Sequence, residues 1–475
     1  DTTLTVRVPD ECVSSNTYLV MENQVFYGPY FPIEGNISVD KSWDLSAKVV
    51  DGIVYGSVSQ YGKPQNNYLV GGFQHLAQYE HWCIGHVNSK GVVTRWSSSD
   101  FGTDYGVKPS SFEGDTPPYI NSISAFEDGR MLVSGMFSAF EVYNPKNGGL
   151  YDLKDRVYVN NIMVLRSNAH PDTTQQYVFE DAGKESNGKP IRYSFSKLNG
   201  GSLQPIVRSF VTSGQKIVAV GNLTQYVCNE YASSYVDSKQ RISPVASAFR
   251  MDDCGVLDST YRLVDKVGHY SGAGGGIIAD ACMDKDDGVV LVGSFTSFDG
   301  VPVPGMVRLD AGGNVDHAFL ENLGAGPDGN VTMVRYNKAL DKMMVVGGFE
   351  HVNGQPRQQM AMLNPDGTLD ETFVPREIGG GTVNFAQLID KEKVIVSGTF
   401  STYGGVPRLG FLILEMDGTA QQKFNVPGAF NGQLYHVAET ETTLGSYGLL
   451  LMGSFDRFNG QKANNVLMLE VNLDH

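Results

Sequence analysis

The side chains of this sequence that could do chemistry are scattered carboxylates, histidines and cysteines, and few are spaced to act together. Asp284-Lys285-Asp286-Asp287-Gly288 has the opening of a calcium loop, but the later Glu that completes the ligand set is missing, so the segment reads as a turn. His75, His81 and His86 fall near one another with no carboxylate or Cys at ligand spacing, and no metal site is expected. Cys12, Cys83, Cys228, Cys254 and Cys282 contain no Cys-x-x-Cys pair and read as free thiols, with Cys254–Cys282 the pair to consider if one bridge exists. Asp100, Asp104, Glu113, Glu141 and Glu230 are carboxylates that a glycosidase or lyase could use, although the separation such a pair needs is spatial and is not written in the spacing. The glycine runs at 272–276 and 379–381 open no helix, so they lack the N-terminus that would hold a phosphate, and they read as sites of close backbone approach. No catalytic residue and no cofactor is assigned.

Tyrosines offer recognition chemistry instead. Tyr105, Tyr143, Tyr151, Tyr226, Tyr231 and Tyr235 fall in three long stretches, 97–118, 138–156 and 224–243. A ring face gives apolar contact to sugar C–H groups or to a peptide, and the hydroxyl adds a hydrogen bond at low entropy cost.

The elements that position these stretches come from a repeat. Seven runs of aliphatic residues end in Gly, one further residue and Phe or Leu, near 68–73, 131–137, 217–223, 289–295, 343–349, 394–400 and 449–455. Their glycines are Gly71, Gly135, Gly221, Gly293, Gly347, Gly398 and Gly453. In the last full copies an Asp-Gly, Asn-Gly or Gly-Gly pair follows the signature, as at Asp299-Gly300, Asn353-Gly354 and Gly404-Gly405. Then come a run ending in Leu, a second turn, and a run closing on Phe319, Phe373 or Phe424. Such pairs between apolar runs signal hairpins. With the apolar run before each signature, one unit contains four expected strands, a to d, with the signature as b.

The expected fold is all-β: a seven-bladed β-propeller of four-stranded antiparallel blades, closed by an N-terminal strand. The last unit runs out of sequence before its strand d, and the segment 1–50 holds spare strand-like sequence. A strand from the first 30 residues is therefore expected to complete the last blade, and 51–475 to form the ring. The long stretches at 138–156 and 224–243 take the b–c position. They are expected to be loops without structure of their own, side by side on one face, with the 97–118 connection beside them.

Composition narrows the function. The formal net charge is -16, which argues against nucleic acid and against docking on anionic lipid. No run approaches the ~18 apolar residues of a membrane-spanning helix. The chain starts at Asp1 without Met, which is consistent with a leader removed or a trimmed start.

Residues 277–475 carry a more specific pattern. Gly405-Val406-Pro407-Arg408, Asn364-Pro365-Asp366-Gly367-Thr368-Leu369-Asp370 and the Phe that closes each unit resemble the delta-60 repeat family of bacterial propeller-like proteins. The resemblance implies the propeller fold and an extracytoplasmic setting, such as the surface lipoproteins of gut Bacteroidetes, and brings no general catalytic motif. The function expected is non-catalytic binding or scaffolding, with a glycan, a peptide or a partner protein held on the loop-rich face. A carbohydrate-active enzyme using carboxylates on that face is the alternative.

Overall fold

The computed structural model describes residues 5–94, 105–106, 117–142, 156–178, 191–230, 239–262 and 270–473. In all seven units the signature is the middle strand of an antiparallel sheet, paired with strand a before it and strand c after it. These sheets are Val54–Gln60, Lys63–Gly71 and Ile84–Val87 in unit 1, then Tyr119–Ala125, Met131–Met136 and Ile162–Leu165 in unit 2. Unit 3 has Arg208–Val211, Ile217–Val220 and Ala248–Met251, and unit 4 has Ile278–Met283, Val289–Gly293 and Met306–Leu309. Val331–Asn337, Lys342–Gly347 and Met360–Leu363 form unit 5, and Val383–Ile389, Lys393–Gly398 and Phe411–Glu415 form unit 6. Unit 7 consists of Asn431–Glu441, Tyr447–Phe458 and Val466–Val471. Each strand a touches strand a of the next unit, and that of unit 7 touches that of unit 1. Because both faces of a sheet are covered by neighbours, the signatures are runs of buried residues rather than alternating ones, and Met343 to Val346 are all fully buried.

The signature glycine answers a steric demand. A Cβ on Gly71, Gly135, Gly293, Gly347, Gly398 or Gly453 would overlap the backbone carbonyl of Ile53, Tyr119, Ile277, Asn330, Thr382 or Gln433 respectively, where the chain enters strand a. Several of these carbonyls accept from the residue after the glycine, as Ile277 O does from Ser294 N at 3.0 Å and Asn330 O from Gly348 N at 2.9 Å. In the same six units the a–b register shifts by one residue just past this contact. The extra residue is Tyr55, Asn121, Ala279, Thr332, Asn384 or Tyr435, and a bulge of this kind re-aims a side chain. The glycine N–H has its own fixed partner. In all seven units it donates, over 2.9–3.1 Å, to the carbonyl of the residue that leads into strand c. That residue is Cys83, Asn161, Ser247, Gly305, Gln359, Gly410 or Asn465, and each has a positive φ between 62° and 83°. Phe73, Phe137, Leu223, Phe295, Phe349, Phe400 and Phe455 are buried at the end of the signatures.

The turn pairs after the signatures behave as their sequence requires. Asp299-Gly300, Asn353-Gly354, Gly404-Gly405 and Asn459-Gly460 all have positive φ at both residues, as a two-residue type I′ hairpin needs.

Strand d departs from expectation. After strand c the chain returns for a single bridge, as in Leu309↔Val315 and Leu363↔Leu369, and then leaves the sheet. The cause is a polar side chain that captures the backbone. Asp316 Oδ1 accepts from Phe319 N at 3.1 Å and starts the helix His317–Leu323. Asp370 Oδ1 accepts from Thr372 N at 2.9 Å. Phe319, Phe373 and Phe424 are nevertheless buried, so these runs fill the core without pairing as strands.

Unit 7 is the exception, because its strand c does gain a full partner. Ile37–Val39 pairs antiparallel with it, Ile37 opposite Val471 and Val39 opposite Leu469. The pairing segment lies beyond the first 30 residues, in which it was expected. Ser15–Met21 and Gln24–Phe31 instead form a separate exposed hairpin, fastened where Tyr30 Oη donates to Asn459 O at 2.7 Å.

Adjacent glycines of unit 5 test the steric account. A Cβ on Gly347 would meet a backbone carbonyl, whereas one on Gly348 would meet nothing within 4 Å. Gly347→Ala should lower unfolding stability by about 1–3 kcal/mol and Gly348→Ala should be near neutral. Equal effects in denaturant titrations would contradict it.

Candidate functional site

The described parts of the long stretches are largely paired strands. Ala139–Val142 pairs with Arg156–Tyr158, and Gln225–Glu230 pairs with Lys239–Pro244, so the described ends of both b–c insertions are paired strands where loops were expected. Tyr105–Gly106, from the 97–118 connection, lies between Ala139–Val142 and Tyr79–Trp82. One five-stranded sheet therefore joins the outer hairpins of units 1 and 2. Gly201 bridges Asn160 on one side and Val227 on the other, tying the unit 3 hairpin to this layer.

The sequence-predicted residues distribute unevenly over it. Tyr105 lies in the central short strand of the sheet. Tyr226 is 2% exposed, its ring edge-on to Phe249 and its hydroxyl donating to Gly255 O. It fastens the hairpin to the rim and is not a surface for a ligand, which corrects its place in the predicted set. Tyr143, Tyr151, Tyr231 and Tyr235 lie outside the described residues, as do Asp100, Asp104 and Glu113. Glu141 is in the strand Ala139–Val142, and Glu230 is exposed at the end of its strand. Nothing described brings two of these carboxylates together.

A second place emerges at the axis. The first strands surround a cavity of about 370 Å³ whose wall includes Tyr55, Asn121, Arg208, Arg335, Tyr435 and His436. Behind the wall Asp280, 3% exposed, binds two arginines. Arg208 Nε donates to its Oδ1 at 2.7 Å, and Arg335 Nη1 and Val334 N donate to its Oδ2. Burial alone would push this carboxyl up, but the two guanidiniums and their hydrogen bonds outweigh it and hold Asp280 below the ordinary carboxylate range. Arg208 also donates to Asn121 O, and Arg335 donates to Tyr435 O at 3.3 Å, so the cluster links units 2, 3, 4, 5 and 7. The rings of Tyr55 and Tyr435 meet edge to face with centroids 5.0 Å apart. His436 is pushed down to about 3, first by burial and then by Arg335 and Arg208, and is neutral at physiological pH. Sequence reasoning missed this cluster, although each member is a lone charge in an otherwise apolar or small-residue first strand, as in Ile278-Ala279-Asp280-Ala281.

The remaining candidates are structural. Asp284 Oδ1 accepts from Asp286 N and Gly288 N, both at 2.9 Å, and its Oδ2 accepts from Arg308, so the calcium-like segment is a turn whose carboxylate is already engaged. His75 contacts Asp51 at 2.6 Å and His351 contacts Asp328 at 2.8 Å, the same clamp in units 1 and 5 between the incoming linker and the outer hairpin. His86 is held by Thr94 and Gln60. The five cysteines are free thiols, Cys254 exposed and Cys282 buried. Gly276 and Gly381, in the glycine runs, pack against the carbonyls of Ser294 and Thr399, the close approach expected of them.

One family match agrees with this architecture. A family described as a domain of unknown function (DUF5122) beta-propeller matches residues 285–319 and 341–373, in units 4 and 5. Another, a domain of unknown function (DUF5124), matches residues 33–122. No curated protein matches. Among solved structures, the WD40 beta propeller domain of Doa1 is 11% identical, with 93% of this chain and 98% of that chain covered and a TM-score of 0.41. YCF48 bound to D1 peptide is 10% identical over the same shares, with a TM-score of 0.42. An oligogalacturonate lyase from Vibrio parahaemolyticus is 12% identical, again over 93% and 98%, with a TM-score of 0.39. The chain is an all-β protein with a propeller fold. No helix among the described residues is long and apolar enough to cross a membrane.

Buried histidines in unit 1 give a pH test. Burial pushes His81 and His86 down to about 4, whereas an unfolded chain titrates near ~6.5. The unfolded state then binds more protons between these values, so the stability these groups contribute is complete above about pH 6.5 and is lost as pH falls towards 4. Unfolding stability should fall over that window by an amount on the order of a few kcal/mol, and the melting temperature should fall with it. A His81→Gln/His86→Gln variant should show a flatter profile. An unchanged slope in the variant would contradict it.

Proposed function

We propose that the chain is a seven-bladed propeller of the delta-60 repeat kind, closed by Ile37–Val39, and that it works as a binding module through its b–c face. Residues 1–50 serve as the closing segment and 51–475 as the ring. The unbroken circuit of contacts among first strands and the fourth strand gained by unit 7 support the closed ring. The repeat resemblance supports an extracytoplasmic setting.

One observation carries the binding reading. The outer hairpins of units 1 and 2 and the Tyr105–Gly106 segment form one sheet, with the unit 3 hairpin tied to it, while the outer hairpins of units 4, 5 and 6 have strands of only two residues. One sector of the face is therefore built up, and recognition is proposed there for a glycan, a peptide or a partner protein. Tyr105, Tyr143, Tyr151, Tyr231 and Tyr235 are the proposed contacts.

Two experiments test these points. A glycan and peptide array on the purified chain should find a ligand, and Tyr231→Ala/Tyr235→Ala should weaken its binding by about 1–4 kcal/mol per contact residue without lowering the melting temperature. Unaltered binding would overturn the site. Removing residues 1–40 should expose the edge of Val466–Val471 and cause self-association, whereas removing 1–34 keeps Ile37–Val39 and should not. Identical behaviour of the two truncations would count against closure.

A further inference from the structure

The axial cavity carries an inference independent of the b–c face. Its wall presents the guanidiniums of Arg208 and Arg335 and, among the described residues that line it, no carboxylate. Asp280 lies behind them, the single anion bound to two cations. His436, held neutral by burial and by the two arginines, adds no charge. The cluster therefore holds one net positive charge, in a chain whose formal charge is -16, so composition does not explain it. Both arginine side chains keep partial access, 19% for Arg208 and 16% for Arg335. Each guanidinium has five N–H donors, and the bonds to Asp280, Asn121 O, Val334 O and Tyr435 O leave several unused. An arginine held by a buried carboxylate is fixed in orientation, which lowers the entropic cost of binding a second anion. Beside the charges stand the rings of Tyr55 and Tyr435, which meet edge to face and line the same cavity.

We propose that this cavity binds a small organic monoanion, its carboxylate taken by Arg208 and Arg335 and its flat body laid against Tyr55 and Tyr435. The cavity volume of about 370 Å³ fits a molecule of that size and not a folded partner. Asp280 acts as a positioning residue, holding both guanidiniums without touching the ligand.

Benzoate is a suitable probe, with benzamide as its neutral counterpart and inorganic phosphate as an anion without a ring. Calorimetric titration of the full chain at low salt should give saturable one-to-one binding of benzoate, with benzamide and phosphate each weaker by about tenfold or more. Ser57, on the same wall, allows a variant that leaves every arginine contact in place. Ser57→Asp supplies a competing carboxylate and should weaken benzoate about tenfold or more, with an unchanged circular dichroism spectrum. Arg335→Lys keeps the charge but not the planar fork, and should also bind benzoate less tightly. No saturable binding of benzoate at millimolar concentrations would overturn the proposal. So would phosphate binding as tightly as benzoate, or Ser57→Asp binding benzoate as the unaltered chain does.

Discussion

A backbone carbonyl pressed against a glycine sets the geometry of this protein. At the entry of strand a in six of the units, the carbonyl occupies the space that a Cβ on the signature glycine would need. Only a residue without a side chain admits that approach, and the approach creates the bulge that follows. The bulge sets which residues of strand a face the axis, and Tyr55, Asn121 and Tyr435 stand at bulged positions on the cavity wall. The same glycine's N–H ties strand b to a left-handed residue before strand c. In six units one small residue thus fixes the entry to a, the register of a on b and the return into c, and in unit 3 Gly221 fixes the return into c.

Neighbouring first strands are joined less by backbone than by side chains reaching across. Ser122 Oγ donates to Ser209 O at 3.2 Å, Gln387 both donates to Val437 O and accepts from Val437 N, and Asn337 Nδ2 donates to Leu388 O at 3.1 Å. Arg208, Asp280 and Arg335 extend this stitching with charge. Burying such a group costs solvation that its partners must replace, so removing the carboxylate alone would leave two guanidiniums uncompensated. The axis is therefore one place where charged groups from several units meet, while the middle strands of the blades are largely apolar.

Much of this was legible in the sequence because it depends on local rules. A glycine at fixed register and an Asn-Gly or Asp-Gly pair between apolar runs report directly on sterics and turn type, and Gly293, Gly347 and Asn353-Gly354 sit as those rules require. Strand d was misread because its apolar pattern is that of a strand, whereas Asp316 and Asp370 redirect the backbone by accepting from Phe319 N and Thr372 N. The partner of strand c in unit 7 was placed too early because Ile37-Ser38-Val39 is too short to stand out, while 15–31 carries longer strand-like apolar runs. Tyr226 looked like a loop aromatic because nothing local distinguishes a ring that faces a ligand from one that packs on Phe249. The arginine cluster is assembled from strands far apart in the chain, and no spacing rule joins Arg208, Asp280 and Arg335.

The most direct measurement is native-state hydrogen exchange on the signature strands. If the glycine N–H link into strand c organises every unit, the amides of Gly71, Gly135, Gly221, Gly293, Gly347, Gly398 and Gly453 should exchange only through openings whose free energy approaches that of global unfolding. Peptides spanning them should then be the slowest in the molecule, in all seven units alike. Exchange of these amides through small local openings, while the flanking aliphatic residues stay protected, would contradict the account.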